Sequence, residues 1–401
     1  MTFTDQQVAD VLCQYQTPFY LYDEATIRQR VRELKQAFAW NEGFREYFAV
    51  KALPNPAILE ILRQEGCGAD CASGTELTLA QNMDIMFTSN NTPAEEFVQA
   101  RELGAIINLD SLEMVDFLAQ TAGIPEVICC RYAPATEVGS ANQIMGEAGQ
   151  SKFGMRRDQV FTAFERLREL GATRFGVHCM AASNSLNNDY YPALARELFD
   201  LAVEIRDRLG IEVEFLNFAG GLGIPYRPED QPLDLTAIGA AVRREYETRL
   251  QGLKPAIFTE LGRYLVGPAG ALVTTVRHLK HSYKYYVGVD ASATDLLRPA
   301  MYGAYHHITV VGKDQPADHP VDVVGSLCEN NDKFAIDRWL PEVEPGDVLL
   351  IHDAGAHGYS MGYNYNGKLR GGEVLLGADG QARMIRRPQS AEDYFATLTV
   401  Q

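Results

Sequence analysis

Positive charge is scarce in this sequence. Its 36 lysines and arginines face 53 aspartates and glutamates, for a formal charge of −17. That balance excludes a nucleic-acid partner, because phosphate binding needs clustered Lys and Arg that displace counterions. Long apolar runs are also missing. None reaches the roughly 18 residues a membrane-spanning helix requires, so no membrane span is expected. Cysteine is sparse: seven, at 13, 67, 71, 129, 130, 179 and 328, an odd number scattered over 401 residues. They form no disulfide framework, and the Cys67/Cys71 pair lacks the second pair that a structural zinc needs, so no metal is expected. The opening MTFTDQQVADVLCQYQ has no basic start, apolar core or small-residue cleavage site, so the expected location is the cytoplasm. Dinucleotide GxGxxG, zinc-binding HExxH and nucleophile-elbow GxSxG patterns are absent from any suitable context.

What remains is an ordinary globular composition, 46% hydrophobic and 22% charged, on a chain longer than one hydrophobic core usually serves. Two domains are expected. Short apolar runs recur at 45–53, 66–73, 85–90, 105–111, 126–132, 174–180, 212–220 and 256–266. Between them lie segments with helical spacing of Leu, Ile and Ala, such as 56–64, 74–82, 93–103, 158–170 and 191–209. Eight β-then-α units in a row predict a closed (β/α)8 barrel, with an open doubly wound sheet as the alternative. Past residue 266 the rhythm gives way to short strands with Gly, Pro or Asp turns, and one short helix is expected near 331–336. The strand-like TPFYLYD at 17–23 precedes the barrel and is expected to join the later strands. The expected division is a barrel over 30–266 and a β domain of 1–29 plus 267–401.

Barrel chemistry sits at the C-terminal ends of the strands. The first strand ends at Lys51. One reading is a lysine that snorkels to solvent or pairs with a carboxylate; the other is a lysine of lowered pKa that can form a Schiff base. Asp70 closes the second strand and His178 the sixth. The seventh runs into Ala219-Gly220-Gly221-Leu222-Gly223, whose backbone N–H groups can approach a phosphate. The eighth ends in Glu260-Leu261-Gly262-Arg263. A single cofactor, pyridoxal 5'-phosphate, uses a lysine, a glycine cradle and an acid for its ring nitrogen.

With those residues in view, the chain resembles the fold-type III pyridoxal-phosphate-dependent decarboxylases, most of all the diaminopimelate decarboxylases. The likeness spans nearly the whole chain, through YFAVKALPNPAIL, GCGADCASGTEL, SKFGM, ELGRYLVG, DLLRPAMYGAYH, GSLCENND and DAGAHGYSMGYNYNGKLR. It implies an alanine-racemase-like arrangement of a barrel followed by an all-β barrel or sandwich domain. It also implies a homodimer with shared active sites to which the β domain contributes. The resemblance makes Lys51 the cofactor lysine, His178 the residue stacked on its ring and Glu260 the partner of its ring nitrogen. Gly220, Gly221 and Gly262 become phosphate contacts. Arg263, Arg298, Tyr302 and Glu329 become substrate contacts, and Cys328 the proton donor reaching the partner subunit's site.

Four positions depart from the commoner pattern. His178-Cys179-Met180-Ala181-Ala182-Ser183 replaces His-x-Gly-Ser, which leaves Ser183 as the candidate phosphate serine. Ala219 replaces the first glycine of its loop, Leu261 replaces the proline of Glu-Pro-Gly-Arg, and His357 replaces a tyrosine, with Tyr359 two residues on. The implied reaction is decarboxylation of meso-2,6-diaminopimelate to L-lysine, a step of lysine biosynthesis. The alternatives are a decarboxylase for another diamino acid or carboxylated polyamine, an amino-acid racemase, and a non-catalytic pyridoxal-phosphate-binding protein.

Overall fold

The structure, a computed structural model, describes residues 2–135, 150–315 and 319–399. Two compact units emerge. One comprises Gln29–Ile224 and Gln231–Tyr264; the other comprises Met1–Arg28, Pro225–Asp230 and Leu265–Gln401. The first strand, β1 (Phe19–Asp23), belongs to the second unit. The next eight close into a parallel barrel in sequence order: β2 (Arg45–Ala49), β3 (Gly68–Cys71), β4 (Ile85–Thr88), β5 (Ile106–Leu109), β6 (Val127–Arg131), β7 (Arg174–His178), β8 (Phe215–Asn217) and β9 (Ala256–Thr259). All eight apolar runs of the sequence hold these strands.

The barrel is filled rather than hollow. Tyr47, Met86, Cys129, Phe215 and Phe258 form an interior cluster, with the Phe215 and Phe258 rings stacked at 4.4 Å. Gly176 makes room for this layer: a Cβ there would stand 2.1 Å from the Phe215 ring. Large and small side chains thus interdigitate, and the plug leaves the C-terminal strand ends as the place for chemistry. The first β-to-α turn is equally legible. Asn55 caps the helix Pro56–Gln64 by accepting from Ala57 N, and Pro56 occupies the first helical position, where its missing N–H costs nothing.

The second unit is a mixed sheet built from β1 and eight later strands: β10 (Gly270–His281), β11 (Tyr285–Val289), β12 (Ile308–Val310), β13 (Val321–Val324), β14 (Lys333–Arg338), β15 (Val348–Ile351), β16 (Gly372–Leu376) and β17 (Ala382–Arg386). β1 runs antiparallel to β10 and parallel to β16. Phe19, Leu21, Val273, Leu350 and Val374 form its core with Val8 and Val11 of the helix Asp5–Leu12.

The helix expected near 331–336 is instead strand β14, antiparallel to β13 with Val323 opposite Ala335. A short window holding Phe334, Ala335 and Ile336 satisfies either periodicity, and pairing with a neighbouring strand decides it. Lys333 adds an ion pair at 3.0 Å to Asp322 of β13. No described helix is long and apolar enough to cross a membrane.

Candidate active site

β2 ends at Ala49, and the chain tightens into a 3-10 turn, Val50–Ala52, that carries Lys51. Lys51 Nζ lies 2.8 Å from Asp70 Oδ2 at the end of β3; the lysine side chain is 54% exposed and the aspartate 1%. Desolvation by the barrel wall pulls this half-exposed lysine down, but the charge and hydrogen bond of Asp70, together with Glu260, outweigh it and hold the ammonium above its ordinary value. The structure shows the carboxylate pairing at Lys51, and with Asp70 beside it the ammonium is held up and not lowered. Burial, then the charge of Glu260, raises the Asp70 carboxyl against the opposing pull of Lys51.

Glu260 follows β9 and is buried. Its Oε2 contacts His178 Nε2 at 3.0 Å, and its Oε1 accepts from Asn217 Nδ2 at 2.7 Å. Burial alone would raise its pKa; the charge and hydrogen bond of His178, then Lys51 and Asn217, reverse this and leave it lowered. Glu260 is thus a held anion. His178 ends β7 and Asn217 ends β8, so adjacent strands deliver the acid's partners.

The loop after β8 explains one departure in the sequence. Ala219 sits at φ +53, the left-handed region where a glycine is expected. An alanine there costs about 1–2 kcal/mol, and three hydrogen bonds hold it: its N–H to Asn217 Oδ1, and its carbonyl from Tyr191 Oη and Glu260 N. Gly221 is at φ +103, and a Cβ there would meet the Tyr190 ring at 2.6 Å. Among the described residues, no group accepts the N–H of Gly220 or Gly221. Ser183 is half-buried in the loop after β7, where the neighbouring Ser185 N donates to Gly221 O at 2.8 Å. Gly262 packs on the Lys51 turn, since a Cβ would stand 2.6 Å from Ala52 Cβ. Arg263, buried, opens the helix Arg263–Val266.

The barrel mouth therefore gathers Lys51, Asp70, His178, Gly220, Gly221, Glu260, Gly262 and Arg263. It also holds buried atoms with no hydrogen-bond partner: Asp70 Oδ1, Asn108 Oδ1 and His178 Nδ1. Buried polar atoms are normally satisfied. Three of them, with two unclaimed backbone N–H groups and an anion beside a lysine, suit a polar ligand with an anionic tail and a protonated ring nitrogen. Pyridoxal phosphate fits this set.

Asn217, Asn108 and Thr88, whose hydroxyl accepts from Asn108 Nδ2 at 3.4 Å and lies 3.5 Å from Glu260 Oε1, carry no motif in the sequence. Their signal is a polar residue at or near the end of an apolar run.

The remaining candidates lie in the β unit. Arg298 opens the helix Arg298–Tyr302 and is buried. Its Nη1 donates to Tyr226 Oη at 3.0 Å and to His306 Nε2 at 2.9 Å. His306 Nδ1 lies 2.8 Å from the His352 carbonyl, so Nδ1 carries the proton and Nε2 accepts. Tyr302 is half-buried at the end of that helix. Cys328 is an exposed free thiol whose backbone N–H donates to Asn366 Oδ1 at 2.7 Å. Glu329 lines a cavity of about 340 Å³ with Leu297, Met301, Asn331, Tyr363 and Tyr365. The charge of Glu329 pushes the Tyr365 hydroxyl up. His357 is half-buried at φ +56. Tyr359 does not stand in for it as an open hydroxyl-bearing ring: its ring lies between Arg370 and Arg386, with guanidinium carbons at 3.7 and 4.6 Å.

The family model "Pyridoxal-dependent decarboxylase, pyridoxal binding domain" matches residues 24–267. The chain is 43% identical to Protein TabA of Pseudomonas amygdali pv. tabaci, covering 95% of this chain and 90% of that one. It is 37% identical to the diaminopimelate decarboxylase of Methanothermobacter thermautotrophicus, covering 95% and 91%. Its structure is similar to that of Methanocaldococcus jannaschii diaminopimelate decarboxylase in complex with L-lysine. The TM-score is 0.91 and the identity 31%, over 98% of this chain and 94% of that one.

Proposed function

The chain belongs to the pyridoxal-dependent decarboxylases, and we propose that its substrate is meso-2,6-diaminopimelate, which it converts to L-lysine and CO2 for lysine biosynthesis in the cytoplasm. The observation that carries decarboxylation is the Glu260 carboxylate, held ionised at the barrel mouth by His178 and Asn217. An anion facing the ring nitrogen keeps that nitrogen protonated. Bound pyridoxal phosphate supplies the electron sink that takes up the electron pair left when CO2 departs.

The chain's own residues have distinct tasks in this reading. Lys51 holds the cofactor, and Asp70 holds Nζ in place. His178 orients Glu260 and offers its ring face. Gly220, Gly221 and Gly262, with Ser183, Arg263 and His357, hold the phosphate. Arg298, Arg263 and Tyr302 are the proposed contacts of the distal carboxylate, and Glu329 that of the distal ammonium. Tyr226 and His306 fix the plane of the Arg298 guanidinium, as bidentate carboxylate binding requires. Cys328 Sγ delivers the proton to the α-carbon in the second subunit of a homodimer. Cys328→Ala should therefore slow turnover by about 10²-fold while cofactor absorbance is kept; an unchanged rate would remove that role.

The test of substrate is CO2 release from meso-diaminopimelate, ornithine, lysine and arginine, compared by kcat/KM. Diaminopimelate should lead, and Arg298→Met should cut its kcat/KM by about 10²-fold, the effect of unpairing a buried carboxylate. The weak ornithine rate should change little. A native enzyme that prefers ornithine, lysine or arginine overturns the assignment. A second reading, a decarboxylase for another diamino acid, stands beside it because the chain is more similar to Protein TabA than to that diaminopimelate decarboxylase, 43% against 37%.

A further inference from the structure

One buried carboxylate of the barrel has no part in the function above. Glu46, the second residue of β2, is fully buried. Its Oε1 accepts the Leu261 N–H at 2.7 Å, and its Oε2 accepts the Thr259 hydroxyl at 2.5 Å. Those two residues flank Glu260 in the chain. β2 and β9 are the strands that close the barrel, and their register pairs only Arg45 with Phe258 and Glu46 with Thr259. Beyond Thr259 the backbone contact thins to one long bond, Ala49 N to Leu261 O at 3.4 Å. The Glu46 side chain thus takes up the pairing where the strand ladder stops. On the other side, Glu260 N donates to Ala219 O at 2.8 Å, so the acid's backbone is held from two directions.

We propose that Glu46 is a positioning residue, which clamps the residues on either side of Glu260 and so sets where that carboxylate stands at the barrel mouth. The inference rests on the reading that Glu260 partners the cofactor's ring nitrogen. Charge is consistent with the role. Burial pushes the Glu46 carboxyl up to about 8, with Glu260 and Asp70 adding to the rise. Around neutrality the side chain is held largely protonated, so the clamp sets no second anion beside Glu260. A protonated carboxyl still accepts the Leu261 N–H through its carbonyl oxygen, and its O–H then donates to the Thr259 hydroxyl in place of accepting from it. A glutamine does the same, and its amide N–H₂ can donate to Thr259 Oγ1. A leucine offers neither, and it leaves the Leu261 N–H buried and unpaired.

Four holoenzyme variants test this: Glu46→Gln, Glu46→Leu, the double variant Glu46→Leu/Leu261→Pro, and Glu260→Gln. The readouts are kcat, KM and the cofactor dissociation constant, the last measured by rebinding pyridoxal phosphate to stripped protein. Glu46→Leu should lower kcat about tenfold, with KM within about threefold, and weaken cofactor binding about tenfold. Glu46→Gln should stay within about threefold of the native values. Leu261→Pro removes the stranded N–H, so the double variant should recover most of the loss. The commoner form of this segment carries proline at that position.

Native kcat and cofactor affinity in Glu46→Leu overturn the proposal. So does a loss that Leu261→Pro fails to relieve, since general destabilisation would not respond to removing one N–H. If Glu46→Leu does not fold, Glu46→Asp carries the test. It keeps the acid but is too short to reach both partners, and native values in it overturn the clamp. Native kcat in Glu260→Gln would instead overturn the role of Glu260 itself; a loss there beside an unaffected Glu46→Leu overturns the clamp alone.

Discussion

Lys51→Ala is expected to reduce CO2 release by at least about 10⁴-fold, the scale on which enzymes lose activity with their covalent group. The visible absorbance that pyridoxal phosphate gains when held by a lysine should vanish with it. The structure adds a second consequence. Lys51 is the charge partner of Asp70, which is 1% exposed and already has one unpartnered oxygen. Without the ammonium, the opposing pull on Asp70 is gone while burial and Glu260 remain, so its pKa rises further. The variant should therefore keep the Asp70 proton to a higher pH than the native protein, in which burial and Glu260 already raise that carboxyl to about 7. Titration of the Asp70 carboxyl by isotope-edited infrared spectroscopy would detect it. Full turnover in Lys51→Ala would sink the site assignment outright.

Glu260→Gln should lower kcat by about 10³-fold, the size of effect seen when a preorganised electrostatic partner is removed. Here the cofactor should still attach to Lys51, because the Lys51–Asp70 pair at 2.8 Å does not pass through Glu260. Attachment and turnover therefore separate: absorbance stays while CO2 release falls. The amide is nearly isosteric and can still bond Asn217 and His178, so packing is preserved and only the charge is lost. With that anion gone, its pull on Asp70 and Lys51 relaxes as well, and both pKa values should move down. A kcat within about threefold of native would remove Glu260 from the chemistry.

The architecture was legible because it is written in runs of apolar residues whose ends are punctuated. The segment at 56–64 reads as a helix from the spacing of its apolar residues, and it spans those residues in the structure, where Asn55 and Pro56 start it. β14 was not legible, because six residues with three apolar members fit a helix turn as well as an edge strand. Residues at the barrel mouth were legible when their chemistry was unusual for a strand end, as with Lys51 and Glu260. Their charge states were not. Whether Lys51 is lowered or raised depends on Asp70 Oδ2 lying 2.8 Å away, and strand register sets that distance. Asn217 and Glu46 escaped notice for a related reason. Which polar residue of a strand points inward follows from barrel tilt and stagger, which one sequence does not reveal.

β1 has a consequence for how the chain is made. It lies between β10 and β16, with Phe19 opposite Val273 on one side and Gly372 on the other. A ribosome delivers β1 before the barrel strands and β16 after them. The whole barrel is synthesised in the interval, while β1 waits with both edges unpaired. Until Glu373 emerges, the Tyr22 hydroxyl also lacks its 2.7 Å acceptor in the sheet interior. The β unit is therefore completed late, and a chain cut before Gly372 would keep a closed barrel but present an open, apolar strand edge to its neighbours.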